Sequence, residues 1–137
     1  MSDKVYIDVL LVQPLKPPEL VKVEDELEPL QKLVGGDLEE YMPFGDDVAL
    51  ICNQEGKFRG DTLNRGIYGK DGELLDVIAG NFFICYAPIT SENFLSLSEE
   101  QVKKYTEKFK YPELFFRGED GKIFGKKLMR EAPELER

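Results

Sequence analysis

Residues 34–66 read VGGDLEEYMPFGDDVALICNQEGKFRGDTLNRG, and this stretch decides the fold. Its centre, VALIC at residues 48–52, is an uninterrupted apolar run of strand length, as expected of a central strand buried on both faces. Before it, residues 38–44 form a mixed strand that Pro43 ends or confines to a sheet edge, since proline cannot donate to a β-ladder. Residues 45–47, Gly-Asp-Asp, are a turn signal. We therefore predict an antiparallel hairpin at the heart of the sheet.

Two segments outside this hairpin carry helix signals. In the first, Asp25 can cap a helix with Glu28 at the third helical position, and the glycine pair at residues 35–36 can end it in the left-handed conformation. A phosphate-cradle interpretation of these glycines is weak, because phosphate loops precede helices. In the second segment, Ser98 and Gln101 form a capping box.

Strand signals occur in mixed order with these helices. Residues 4–12 and 81–87 predict largely buried strands, whereas residues 66–68, 74–79, 114–117 and 122–125 predict shorter strands in hairpins. No regular alternation of strand and helix is present. We therefore predict an α+β fold, a mainly antiparallel sheet with two helices packed on one face. Residues 1–125 are expected to form a single domain, and residues 126–137 a polar, frayed C-terminal tail.

Composition narrows the class of protein. The chain has 137 residues, 42% of them hydrophobic and 33% charged, and it carries no membrane-length apolar run or signal-peptide pattern, so we expect a cytoplasmic globular protein. Cys52 and Cys85 lie in apolar runs and are interpreted as small hydrophobic residues, with a disulfide as the alternative. The absence of histidine removes every mechanism that needs a histidine base, and we expect no metal, no cofactor and no identifiable catalytic residue.

The negative charge of the chain is regional. The formal net charge is 18 minus 27, or −9, and residues 19–47 hold ten acidic side chains against two lysines. Such a surface repels nucleic acid and attracts basic proteins. The alternative is a solvated surface that aids solubility. The candidate partner-binding residues are Glu24, Glu26, Glu39, Glu40, Asp46 and Asp47.

A second candidate site follows the buried strand. Asn53, Arg59, Asn64 and Arg65 lie in a polar stretch that we interpret as a loop, where functional groups are often mounted on a rigid scaffold. Arginine offers a planar fork for a carboxylate or phosphate, and asparagine offers both donor and acceptor. These residues could bind a small ligand or nucleotide. Alternatively, the arginines pair with nearby acidic groups and the asparagines cap turns.

The segments LQKLVGGDLE, DDVALICNQEGK, LNRGIY and DVIAGNFFIC, in this order, resemble the family of domain of unknown function 3846. The resemblance covers about residues 5–116. It implies a small bacterial protein carried by phages, plasmids and conjugative elements of Gram-positive hosts, and it implies no catalytic residue. The family's Asn-Arg pair corresponds to Asn64 and Arg65, and Gln54 stands where the family commonly has glutamate.

The charge pattern and this resemblance together lead to one main hypothesis. The protein is a non-enzymatic accessory module whose acidic surface binds a basic host or element-encoded protein. In one form of this hypothesis, the acidic surface acts as a nucleic-acid mimic. No membrane partner is expected, and the sequence leaves the oligomeric state open. The alternative hypothesis is a small-ligand or nucleotide-binding domain that uses the Arg/Asn site.

Overall fold

A computed structural model of the protein describes residues 3–129. In this part of the chain there are nine strands and two helices, and the paired strands are antiparallel. This confirms the α+β class. In chain order they are β1 (Tyr6–Val12), β2 (Glu19–Glu24), α1 (Leu27–Val34), β3 (Leu38–Tyr41), β4 (Val48–Asn53), β5 (Leu63–Tyr68), β6 (Leu74–Ala79), β7 (Phe82–Tyr86), α2 (Glu99–Lys108), β8 (Glu113–Arg117) and β9 (Ile123–Lys127).

Five strands form the main sheet, in the order β2-β1-β7-β4-β3, with every neighbouring pair antiparallel. The predicted β3–β4 hairpin is present, with Leu38 opposite Asn53 and Tyr41 opposite Leu50. However, β3 is an edge strand and β7 is the central one. The reason is composition: β4 is buried at every position and β7 at nearly every position, whereas the LEEY sequence of β3 keeps two carboxylates in water.

The main sheet is covered on both faces, by a different helix on each. Leu30 and Val34 of α1 pack with Phe83 on one face, and Tyr105 of α2 packs with Phe82 on the other. This corrects the expectation that both helices would pack on one face. Successive residues of a strand point to opposite faces, so strands that are apolar at every position create two apolar surfaces, and each surface must be covered.

Two smaller hairpins complete the fold. The β5–β6 hairpin joins α2 on its face of the sheet, through Ile67 and Ile78. The predicted terminal hairpin is β8–β9, and β9 continues past residue 125 to Lys127, with the Leu128 N–H donating to the Pro112 carbonyl at 2.7 Å. Hydrogen-bonded structure thus reaches into the segment that we predicted as a tail. Residues 130–137 of that segment lie outside the described residues.

The ends of the two helices show which of the predicted capping signals are present in the structure. The capping box at Ser98 and Gln101 is confirmed, with both reciprocal hydrogen bonds present at 2.9 and 3.1 Å. Gly35 ends α1 with φ of 85°, as predicted. The residue that caps α1 is Glu26, not Asp25, and its side chain makes no capping bond. Pro29 occupies the third helical position and has no N–H for such a bond.

Candidate functional site

Asn53 and Arg59 lie together at the C-terminal end of α1. Asn53 Oδ1 accepts from the Glu55 N–H at 2.8 Å, which shapes the turn after β4. Its Nδ2 is buried without a hydrogen-bond partner in the described residues and faces Gly36, where an added Cβ would lie 2.8 Å away. Arg59 donates to the Gly35 carbonyl at 2.8 Å and pairs with Asp61 at 3.2 Å. Both side chains hold the loop after β4 against the helix end.

Asn64 and Arg65 are fully buried elsewhere. Asn64 Nδ2 donates to the Val12 and Gly80 carbonyls, at 2.9 Å each. Arg65 uses all five of its N–H groups: Nε and Nη2 donate to the Phe109 carbonyl, and the others reach three further oxygens. Those acceptors are Asn64 Oδ1 (2.8 Å), the Lys16 carbonyl (2.7 Å) and the Gln13 carbonyl (3.4 Å).

The four residues of the predicted ligand site therefore divide into two pairs that do not converge. Asn64 and Arg65 belong to strand β5, which begins at Leu63, and not to a loop as we predicted. Burial lowers the pKa of Arg65, and the negative charge of Glu113 opposes that shift. With every donor of Arg65 occupied, this guanidinium ties β5 to the β1–β2 connection and to the end of α2.

The acidic residues of segment 19–47 are distributed over both faces of the sheet. Among residues 3–129, Asp46 is the one member of this set that forms an ion pair, with Lys104 of α2. Glu39 lies opposite Cys52 on the α2 face, whereas Glu40 lies opposite Ile51 on the α1 face. The predicted partner-binding residues Glu24 and Glu26 lie near the start of α1, at the end of β2 and in the connection to α1. The single acidic surface of the prediction is thus several separate groups.

One groove on the α1 side of the sheet, the acidic groove, is lined by acidic and apolar side chains. It has a volume of about 470 Å³ and is lined by residues from segments 40–47 and 87–94, with no lysine or arginine among them. Its carboxylates are those of Glu40, Asp47 and Glu92. Its exposed apolar side chains include Ile89, which is 96% exposed, and Met42. Sequence reasoning missed Ile89 and Glu92, although an isoleucine directly after the strand-ending Pro88 was an available signal.

Both buried thiols have raised pKa values, and acidic side chains contribute to each shift. Burial raises the pKa of Cys85, and the charges of Glu40 and then Asp25 raise it further. Burial likewise raises the pKa of Cys52 to about 11, with Glu39 adding to the effect. Both cysteines are free, and they lie in different cores, as expected of small hydrophobic residues. Neither thiol supplies a thiolate nucleophile at neutral pH.

Asp46 should make stability depend on pH on the acid side. Hydrogen bonds from Lys104 and from the Tyr105 hydroxyl (3.0 Å) hold the pKa of Asp46 below its ordinary value of 3.8. Since the folded-state pKa is the lower one, the ionised group stabilises the fold above about pH 4, and this contribution is lost as the pH falls through the folded-state pKa. We expect Asp46→Asn to flatten the fall in melting temperature below about pH 4, measured by circular dichroism.

The neighbouring aspartate is the matched control for this measurement. Asp47 makes no side-chain hydrogen bond or ion pair within the described residues, and its φ of 56° suits asparagine. Asp47→Asn should therefore keep the wild-type pH profile. An unchanged profile in Asp46→Asn would contradict the assignment.

Comparison with known families adds one identification. A family model described as Domain of unknown function (DUF3846) matches residues 7–110. The chain belongs to the DUF3846 family. The DUF3846 match runs from β1 through α2 and so contains the five-stranded sheet, the β5–β6 hairpin and the acidic groove. The β8–β9 hairpin lies beyond it. Neither a curated protein nor a solved structure matches the chain.

The segments that carry the likeness to the DUF3846 family have architectural roles in this structure. Gly35 ends α1, and Gly56 leaves no room for a side chain, because an added Cβ would lie 2.8 Å from the Ala79 carbonyl oxygen. Asn64 and Arg65 bind backbone carbonyls. Within residues 3–129, no group of three or more carboxylate or thiol side chains is placed to hold a metal ion. Neither helix in that range has the length and apolar composition needed to cross a bilayer.

Proposed function

We propose that the protein is a non-enzymatic protein-interaction module whose acidic groove binds a basic, partly apolar segment of another protein. One observation carries the proposal: Glu40, Asp47 and Glu92 line one groove together with exposed Ile89 and Met42, and the lining of that groove contains no cation. The groove therefore offers acceptors for lysine or arginine beside apolar surface that is in contact with water. A segment that places its basic side chains on the carboxylates and an aliphatic side chain on Ile89 would satisfy both features.

The charge of the surrounding surface supports the same choice of partner. The formal net charge of the chain is −9, and in the core on the α1 side of the sheet Glu40 and Asp25 both contribute to the raised pKa of Cys85. A field of one sign speeds the approach of an oppositely charged protein, and salt weakens that effect. We further propose that the partner is a host protein or one encoded by a mobile element, in the cytoplasm. A nucleic-acid-binding protein is one such partner, in which case the groove acts as a nucleic-acid mimic.

The non-enzymatic part of the proposal rests on the lack of histidine and on the cysteine and hydrogen-bonded tyrosine side chains, none of which supplies an activated group in the described part of the chain. The sequence has no histidine. Both thiols are buried with raised pKa values, so they are protonated near neutral pH. The Tyr68 and Tyr105 hydroxyls also have raised pKa values, from burial first and then from their bonds to Glu113 and Asp46 respectively. None of these groups is prepared to act as a nucleophile or base.

Affinity capture with two charge-matched variants tests the proposal. The groove variant carries Glu40→Gln, Asp47→Asn and Glu92→Gln. The control variant carries Glu99→Gln, Glu100→Gln and Glu119→Gln, which removes the same formal charge at exposed sites outside the groove. We expect the wild type and the control to retain the same basic protein from a bacterial lysate. We expect the groove variant to lose it by at least about tenfold, as three charged contacts are removed.

Two further results would decide against the groove. Equal loss of the partner in both variants would mean that only net charge matters. Retention by the groove variant would place the binding surface elsewhere. Adding Ile89→Ser as a third variant separates the apolar contribution, because it leaves all charges in place and should weaken capture even at high salt.

A further inference from the structure

A second cavity, of about 650 Å³, lies between β5, the end of α2 and the β8–β9 hairpin. It is within the size range of small-molecule sites. Phe109 and Met129 supply apolar walls, and Glu113 and Tyr68 supply polar groups. Part of its lining, from Glu113 onward, lies beyond the residues that the family model matches. The cavity is separate from the acidic groove, with no lining residue in common.

Glu113 is a buried carboxylate with unused acceptor capacity. Only 4% of its surface is exposed. One oxygen, Oε1, accepts from the Gly66 N–H at 3.2 Å and from the Tyr68 hydroxyl at 2.8 Å. A carboxylate has about four acceptor sites, and the described residues fill two of them. Arg65 acts on Glu113 only through space, since its five donors bind other oxygens. A buried carboxylate of this kind favours a ligand that brings N–H donors.

The position of Glu113 is set by close packing. A Cβ at Gly125 would lie 2.6 Å from the Tyr68 hydroxyl oxygen and 3.1 Å from Glu113 Oε1, so only glycine allows both groups to meet there. Burial raises the pKa of Tyr68, and its hydrogen bond to Glu113 raises it further. The hydroxyl therefore stays protonated and keeps donating. The remaining acceptor sites of Glu113 are presented in a rigid setting, which reduces the entropic cost of binding.

Three lysines line the same cavity, namely Lys108, Lys126 and Lys127. Lys127 is paired with Glu113 in the β8–β9 ladder, and directly opposite residues project from the same face. Even so, no ion pair joins these two side chains, and Lys127 forms none with any residue from 3 to 129. Lys108 also lines the cavity, and its ammonium lies 5.4 Å from the centre of the Phe44 ring. The cavity thus contains a carboxylate and an ammonium group that are not neutralised by each other.

We propose that this cavity binds a guanine nucleotide, with the N–H edge of the base on Glu113 and the phosphate on Lys127. A ligand that binds both Glu113 and Lys127 needs N–H donors at one end and an anionic group at the other. Between them it needs a part that packs against the apolar walls of the cavity. A nucleotide has this combination, because its base is planar and its phosphate lies apart from the base. Guanine fits Glu113 best, since its N1–H and N2–H donors are adjacent and point the same way, so both can reach the acceptor sites that remain on Oε2. The proposal is independent of the acidic groove.

Calorimetric titration of the full chain with GMP, AMP, guanosine and inorganic phosphate tests this site. We expect GMP to bind at least about tenfold more tightly than AMP, the difference that one extra charge-assisted hydrogen bond supplies. Glu113→Gln should reduce that preference. Lys127→Ala should weaken GMP by about tenfold and leave guanosine unchanged, because guanosine lacks the phosphate. Lys122→Ala, in the same hairpin but outside the cavity lining, is the matched control and should bind GMP as the wild type does.

Several results would overturn the assignment. These are no heat of binding with GMP at millimolar concentration, equal affinity for GMP and inorganic phosphate, and equal affinity for GMP and AMP. A folded Glu113→Gln variant that keeps the full preference for GMP would also overturn it. If Glu113→Gln fails to fold, the comparison of GMP with guanosine in the wild type and in Lys127→Ala decides alone, because Lys127 is exposed.

Discussion

Arg65→Leu is expected to lower the free energy of unfolding by about 3–5 kcal/mol, the cost of leaving buried polar partners without their donor. The guanidinium is fully buried and gives five hydrogen bonds. Leucine fills much of the space but donates nothing, so the Phe109, Lys16 and Gln13 carbonyls each lose a donor. Urea unfolding followed by far-ultraviolet circular dichroism measures the change, and a loss of this size leaves a protein of ordinary stability close to unfolding.

Arg59→Leu is the matched control, since it removes an arginine that is about half exposed. Its bonds go to the Gly35 carbonyl and to Asp61 at the surface. We expect a loss below about 1 kcal/mol, as for exposed ion pairs. Equal losses at both positions would contradict the structural role assigned to Arg65. A stable Arg65→Leu variant would return Arg65 to consideration as a ligand-binding residue.

Phe82→Ala and Phe83→Ala are each expected to lower the free energy of unfolding by about 3–5 kcal/mol, as for other buried phenylalanines. The two residues are neighbours on the central strand, and both are 0% exposed. Phe82 packs on Phe109 on the α2 face, with ring centres 5.3 Å apart. Phe83 packs in the core under α1. The same unfolding experiment compares them.

This pair tests the two-faced sheet directly. If one face were open to water, truncation of the phenylalanine on that face would cost little, because a side chain exposed in the folded state loses little on removal. A cost below about 1 kcal/mol for either variant would therefore contradict the arrangement of one helix on each face. Phe58→Ala provides the baseline, since Phe58 is 92% exposed and should change stability by less than about 0.5 kcal/mol.

Much of the fold follows from short-range signals in the sequence. The apolar run at residues 48–52 became the fully buried β4, and a turn at Asp71 and Gly72 joins β5 to β6. The start of α2 was also accessible, because Ser98 and Gln101 bond to each other's backbone within one turn. Such features depend on groups a few residues apart, so the local sequence is enough to specify them.

The start of α1 shows how a local signal can mislead. Asp25 and Glu28 have the spacing of a cap, but Asp25 instead continues the strand pairing, with its N–H donating to the Val5 carbonyl at 2.8 Å. The helix then begins two residues later, at Leu27. The long-range backbone hydrogen bond to Val5 thus keeps Asp25 in the strand pairing, although the local pattern had assigned Asp25 to the start of the helix.

By itself, the sequence determined the α+β class, the apolar strands at the centre of the sheet, the turns, the capping box and the likeness to the DUF3846 family. The tertiary structure decided which faces the helices cover, that Arg65 is buried, and that Glu40 and Asp47 meet Glu92 in one groove. The physical reason is separation along the chain. Arg65 binds carbonyls 44 to 52 residues away, and at such distances only the folded packing determines whether a charged side chain faces water or backbone oxygens.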